Sequence, residues 1–119
     1  MASNSDRIIF DGLFDIEQLK NRQDWRPFRD GIEIIRIYDQ GEGGMSAALL
    51  KYAPGASVPV HEHQGLEHII ILDGAQSDDN GTCTAGTLIV NPRGSRHGVL
   101  SPEGCIVLVI WEQQVKFVE

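Results

Sequence analysis

Residues 61 to 67 of the chain, HEHQGLE, set two histidines one residue apart and place a glutamate four positions after the second. On an extended strand, side chains two apart share a face, so His61 and His63 can point together into whatever cavity the strand borders. That is the geometry of a metal chelate. Imidazole suits zinc, iron, nickel and copper, and a carboxylate such as Glu67 adds a hard anionic oxygen. His68 follows Glu67 directly and on a strand faces the opposite way, which makes it a structural or interfacial histidine rather than a ligand.

The elements that must position these side chains are short strands. From residue 31 the chain runs GIEIIRIYD, MSAALLKY, VPVHEH, EHIIIL, TCTA, GTLIVN, RHGVLS and CIVLVIWEQQ, separated by glycine-, proline- and Asn-Gly-rich turns. EHIIIL is expected to close at Asp73-Gly74, and Asp79-Asn80-Gly81 reads as a hairpin. About eight to ten strands at this turn spacing predict an all-β sandwich or barrel. Both alternating sets of EHIIIL, Ile69 with Ile71 and Ile70 with Leu72, are apolar, as are both faces of CIVLVIW. Such strands need cover on two sides. A homodimer packed through sheet surfaces would supply it, the alternative being the chain's own N-terminal segment. In that segment, residues 1–30, Asp15 and Gln18 resemble a capping box for a short helix over DIEQLKNR, with Ile16 and Leu19 as its apolar edge. Pro27 is expected to interrupt regular structure, and Trp25 and Phe28 to cover one end of the core, the alternative being that they line a pocket mouth.

Length and charge set the outer limits. One domain fits 119 residues, so residues 31–119 are read as a single domain, with residues 1–30 packing on it or on a partner subunit. The net charge of −7 argues against a nucleic-acid or anionic-membrane surface. The start, MASNSDRIIFDG, lacks the charged and apolar regions of a signal peptide, and IVLVIW is too short to span a bilayer. A cytoplasmic location is expected, with Cys83 and Cys105 as free thiols.

Wider spacing now becomes decisive. Gly55, His61, His63, Glu67 and Gly74 occupy every fixed position of the first cupin motif, G(X)5HXH(X)3,4E(X)6G. Gly86, Pro92, Gly94 and His97 reproduce the second, G(X)5PXG(X)2H(X)3N, with Ser101 in place of its final asparagine. The sequence therefore resembles the cupin superfamily. That resemblance implies a double-stranded β-helix, the cupin jelly-roll barrel, with a short and partly irregular or helical N-terminal segment. It also implies one divalent metal ion per chain in the barrel mouth, held by His61, His63, Glu67 and His97. Three neutral imidazoles and one carboxylate would leave such an ion with a net charge of about +1 and, if six-coordinate, two open positions. Fe(II), Mn(II) or Ni(II) suit that arrangement, whereas Zn(II) could close the shell tetrahedrally.

A narrower resemblance, over residues 32 to 111, is to the cupin domain of ChrR-type anti-sigma factors and their single-domain relatives. It is carried by YAPGA, the SDDNG hairpin, the NPxGSxH turn and SPEGC. In the anti-sigma proteins this domain holds zinc, and sigma binding lies mainly in a separate N-terminal zinc domain. About 30 residues without cysteine or histidine precede the barrel here, so sigma-factor binding is not expected. The group is also similar to small non-haem dioxygenases that cleave β-diketones or aryl ketones. The resemblance thus implies a small-molecule dioxygenase or oxidoreductase, a zinc-binding sensor or regulator, or an isomerase-type or structural-metal cupin. Glu67 would be a catalytic base if it is not a ligand. A small-molecule ligand in the barrel would meet Ile69, Ile71, Val99, Val109 and Trp111, with Arg36, Arg93 and Arg96 available to an anionic substrate. Tyr38, Met45 and Tyr52 are further candidates for the cavity.

Overall fold

The computed structural model describes residues 3–118. Strands carry the chain from Arg26 onward: β1 (Arg26–Arg29), β2 (Ile32–Asp39), β3 (Ser46–Tyr52), β4 (Ala56–Glu62), β5 (Glu67–Asp78), β6 (Gly81–Thr84), β7 (Leu88–Asn91), β8 (Arg96–Ser101), β9 (Cys105–Trp111) and β10 (Lys116–Phe117). Ahead of them lie a 3-10 turn at Asn4–Asp6 and one short helix, α1 (Ile16–Lys20). The strands form an antiparallel sheet in the order β1-β2-β3-β9-β5-β8-β4-β10, with β6 and β7 also paired to β5. The sheet curls on itself into a half-barrel, the cupin-like architecture expected of the sequence.

β5 makes the curl. Residues Glu67 to Gly74 pair with β9, and Ala75 to Asp78 pair with β6. The strand therefore belongs to both layers. Asp73-Gly74 was expected to end it, but the chain bends there instead. A bulge lies between Ile71 and Asp73, and Gly74 takes φ +77°, a conformation that costs glycine little. A side chain at Gly74 would run into the Gly104 carbonyl and come within 2.9 Å of the Cys105 Cα. Only glycine lets the two backbones meet.

Alternation then sorts the apolar residues. Ile32, Ile34, Ala48, Leu50, Ile69, Ile71, Val107 and Val109 fill the inside of the half-barrel. The other parity, Ile35, Leu49 and Ile106 with the partly buried Leu72 and Leu108, forms a second core with Leu19 and Trp25. Leu72 and Leu108 thus pack against a core to which the N-terminal segment contributes Leu19 and Trp25. Asp15 caps α1 by accepting from the Gln18 backbone N–H at 3.1 Å. Leu19 is buried on its inner side, and the Trp25 indole N–H donates to the Leu19 carbonyl at 2.8 Å.

Two expectations for this region are corrected. Pro27 does not interrupt regular structure: it lies in β1, an edge strand of the sheet, where a residue without an N–H is tolerated. Phe28 does not join Trp25 in the core but lines the cavity inside the half-barrel, 39% exposed. Because β1 already pairs with β2, the chain enters the sheet before residue 31. Among the described residues no helix is long and apolar enough to cross a membrane.

Candidate metal centre

His61 is the last residue but one of β4, His63 lies immediately past the strand, Glu67 opens β5 and His97 is second on β8. Strand pairing sets His61 opposite His97. The Pro92–Ser95 turn then fixes His63. Gly94, at φ +87°, donates its N–H to the His63 carbonyl at 2.8 Å, while the His63 N–H donates to the Ser95 carbonyl at 2.9 Å. The three imidazole centroids lie 4.7 to 5.1 Å apart. One ligand atom from each of His61, His63, Glu67 and His97 lies within 4.8 Å of all the others.

Partners on the far side of each ring settle the tautomers. His61 Nδ1 lies 2.9 Å from the Pro59 carbonyl, and His63 Nδ1 lies 3.0 Å from the Ser95 carbonyl and 2.8 Å from its hydroxyl. His97 Nδ1 lies 3.0 Å from Asp78 Oδ2. Carbonyls and carboxylates only accept, so each Nδ1 carries the proton and each Nε2 presents a lone pair. His63 Nε2 and His97 Nε2 are buried without a hydrogen-bond partner, although the former lies 3.0 Å from Glu67 Oε1. Leaving such atoms unsatisfied is costly. A metal ion is the partner their chemistry fits, with bonds of about 2.0–2.2 Å requiring only a small contraction of the cluster.

Glu67 is held as firmly. Asn91 Nδ2 donates to Oε1 at 2.9 Å, and the Trp111 indole N–H donates to Oε2 at 2.8 Å. Burial pushes its carboxyl up, but the hydrogen bonds from Asn91 and Trp111, together with His63 when that ring is protonated, outweigh it and hold it below the usual range. Burial likewise lowers the His61 value, helped by the neighbouring His97 and His63, which keeps that ring neutral. Burial acts upward on Asp78 too, and is outweighed by His97 and by the N–H groups of Asn80 and Gly81. Three imidazole nitrogens and one carboxylate make a cluster capable of coordinating a divalent ion.

Three of the four residues, His61, Glu67 and His97, line a cavity of about 300 Å³ inside the half-barrel. Its walls include Leu50, Val58, Ile69, Val99, Val107, Val109 and Trp111, and its buried polar lining is Ser46, Tyr52 and Gln76. Of the apolar residues expected there, Ile69, Val99, Val109 and Trp111 are present, whereas Ile71 is sealed in the core. Of the further candidates Tyr52 lines it, while Tyr38 and Met45 do not. Arg36 reaches the cavity, but Arg93 and Arg96 stay outside it. Arg96 precedes the inward-pointing His97, so it faces outward and pairs with Glu62 at 2.8 Å. His68, also as parity requires, is outside both the cluster and the cavity. Ser101, at the position where the motif has asparagine, is fully buried and donates to the Ala75 carbonyl at 2.6 Å.

Several participants escaped sequence reasoning, among them Pro59, Asp78 and Ser95 behind the histidines, Asn91 behind Glu67, and Arg29, Ser46 and Gln76 in the cavity lining. Asn91 and Ser95 lie within the NPxGSxH turn, so proximity to the motif was a usable signal. Asp78 had none beyond the hairpin that follows it.

A family model described as the ChrR cupin-like domain matches residues 16–115. The anti-sigma-E factor ChrR of Cereibacter sphaeroides is 32% identical over 96 residues, covering 78% of this chain and 44% of that protein. Among solved structures, Rhodobacter sphaeroides SigE in complex with the anti-sigma ChrR aligns with a TM-score of 0.67 and 28% identity, over 78% of this chain and 50% of that one. An acetylacetone dioxygenase from Acinetobacter johnsonii aligns with a TM-score of 0.80 over all of this chain and 81% of that one, at 14% identity, which is a likeness of fold. The chain spans less than half the length of the curated relative it matches. The expectation against sigma-factor binding is overturned by the SigE complex: a protein sharing this fold and sequence pattern is found bound to its sigma factor. The count of residues ahead of the barrel was therefore no ground for setting that partner aside.

Proposed function

The chain belongs to the ChrR cupin-like family, and on that premise we propose that it holds one divalent metal ion through His61, His63, Glu67 and His97 and acts with it on a small molecule as a non-haem oxidoreductase of the dioxygenase type. The observation that carries this reading is the opening of the cluster onto an apolar cavity, which a purely structural metal would not need. Zn(II) and Fe(II) suit the donor set best, and Mn(II) or Ni(II) are compatible with it. The ion would supply a Lewis acid toward an oxygen donor of the ligand and, if redox-active, a path for electrons. The protein's own part is positional. Pro59, Ser95 and Asp78 fix the three rings, Asn91 and Trp111 fix the carboxylate, and Val58, Ile69, Val99 and Val109 exclude water.

Metal analysis of protein purified without tags or chelators tests this. Stoichiometric iron with O₂ uptake on acetylacetone supports it; tightly held zinc with no ligand-induced shift in melting temperature sinks it. Glu67→Gln separates the two roles open to that residue. Lost metal marks a ligand, whereas retained metal with lost turnover marks a base.

Family membership itself favours a second reading, a zinc-binding sensor or regulator with a protein partner such as a sigma factor. Retention of a purified sigma factor on the immobilised, zinc-loaded chain would support it. Metal without O₂ uptake, ligand binding or partner would leave the isomerase-type or structural-metal alternative.

A further inference from the structure

Besides the proposed metal ligands, the charged side chains lining the cavity are two arginines, Arg29 and Arg36. This runs against the composition, since the chain carries 17 acidic and 10 basic residues. Among the described residues no carboxylate other than Glu67 lines the cavity. Arg36 follows Ile32 and Ile34 on the inner parity of β2, and its register row continues through Ala48, Val109 and Ile69. Three strand spacings, about 14 Å, separate the ends of that row. Arg29, closing β1, lays its guanidinium 4.3 Å from the Phe117 ring centroid, and Phe117 in turn lies edge-on to His61 at 5.9 Å.

Neither guanidinium is committed to a close acceptor. Arg36 makes only a 4.0 Å contact with Asp39, and both side chains of that pair are well exposed. Arg22 and Arg96, outside the cavity, are by contrast tied to Asp24 and Glu62 at 2.7 to 2.9 Å. The cavity between metal cluster and arginines is apolar along Val99, Val109 and Ile69.

We propose that the ligand of this cavity is a small organic carboxylate, with oxygen donors at the metal end, a short apolar body, and its carboxylate received by Arg36 and Arg29. A guanidinium fork matches a carboxylate in shape and charge, and at the solvent-facing end of the cavity it can receive that group while the apolar body stays inside. The inference rests on the metal-and-cavity reading above and adds to it the charge of the ligand.

A matched pair of compounds tests it: octane-2,4-dione and 5,7-dioxooctanoate share a β-diketone and a three-methylene body and differ only in a terminal methyl or carboxylate. Both are titrated anaerobically by calorimetry into the metal-loaded full chain. The anion should bind at least about 10-fold more tightly, the scale of a charge-assisted hydrogen bond. Arg36→Gln should remove most of that advantage and Arg29→Gln part of it, with metal content and octane-2,4-dione affinity unchanged. Absence of binding by the anion, absence of its advantage, or an advantage that survives both substitutions overturns the inference while leaving the metal site standing. A chain that loads no metal overturns the metal reading, and this inference with it.

Discussion

Asp78 does at the level of one residue what the histidine motif cannot do alone. Its carboxylate accepts a hydrogen bond from the Nδ1–H of His97 and so aims Nε2 at the cluster. Replacing that anionic acceptor by a neutral one weakens the bond and leaves the Nε2 lone pair less basic. Asp78→Asn should therefore lower metal affinity about 10- to 100-fold, measured by competition with a chromogenic chelator. His68→Gln is the matching control. It changes a histidine one residue from Glu67 but on the opposite face, and metal content should be unaltered.

β5 shows what an element contributes. Its residues before Gly74 bring Glu67 to the cluster, and those after it bring Asp78 behind His97. The bend at Gly74 thus links two contacts eleven positions apart. Gly74→Ala should destabilise the fold by about 1–3 kcal/mol from backbone conformation alone, and more from the clash with Gly104, read as a lower urea midpoint.

β9 carries a second element-scale consequence in Cys105. Burial pushes its thiol up to about 11, with the nearby Asp73 adding to the rise and Ser101 opposing it. In the folded chain the proton is kept between about pH 8.5 and 11, where an ordinary thiol loses it. The unfolded state then binds fewer protons, so this contribution to stability is present below about pH 8.5 and is lost as pH rises toward 11. At pH 8, thiol reagents should label Cys83, which is partly accessible, and spare Cys105 until the chain is denatured.

At the scale of the whole molecule, the half-barrel has two cores with different duties. The inner one borders the cavity; the outer one fastens the N-terminal segment to the sheet. Leu19→Ala, at a site 1% exposed, should cost about 2–5 kcal/mol in urea unfolding, while the folded fraction keeps the metal content of the parent. Bound metal should in turn raise global stability, by about 4 kcal/mol at a free concentration 1,000 times the dissociation constant. A chelator should remove that increment and lower the melting temperature.

Much of the site was local in the chain and therefore readable. Alternation along β4 gave His61 and His63 one face and turned His68 away, and the fixed intervals of Gly55, Gly74, Gly86, Pro92 and Gly94 implied His97 and the architecture. Strand parity could equally have placed Arg96 outside, since it adjoins His97. Other features depended on partners distant in sequence, and only the folded chain decided them. Asp78 meets His97, Trp111 meets Glu67 and Arg29 reaches the cavity through pairings that local periodicity does not encode. Whether the outer face of β5 and β9 met a second copy or the chain's own N-terminus was likewise open to pattern alone. An apolar stripe specifies that it must be covered, but not by what; it took the folded chain to gather Leu19 and Trp25 into the outer core that Leu72 and Leu108 pack against.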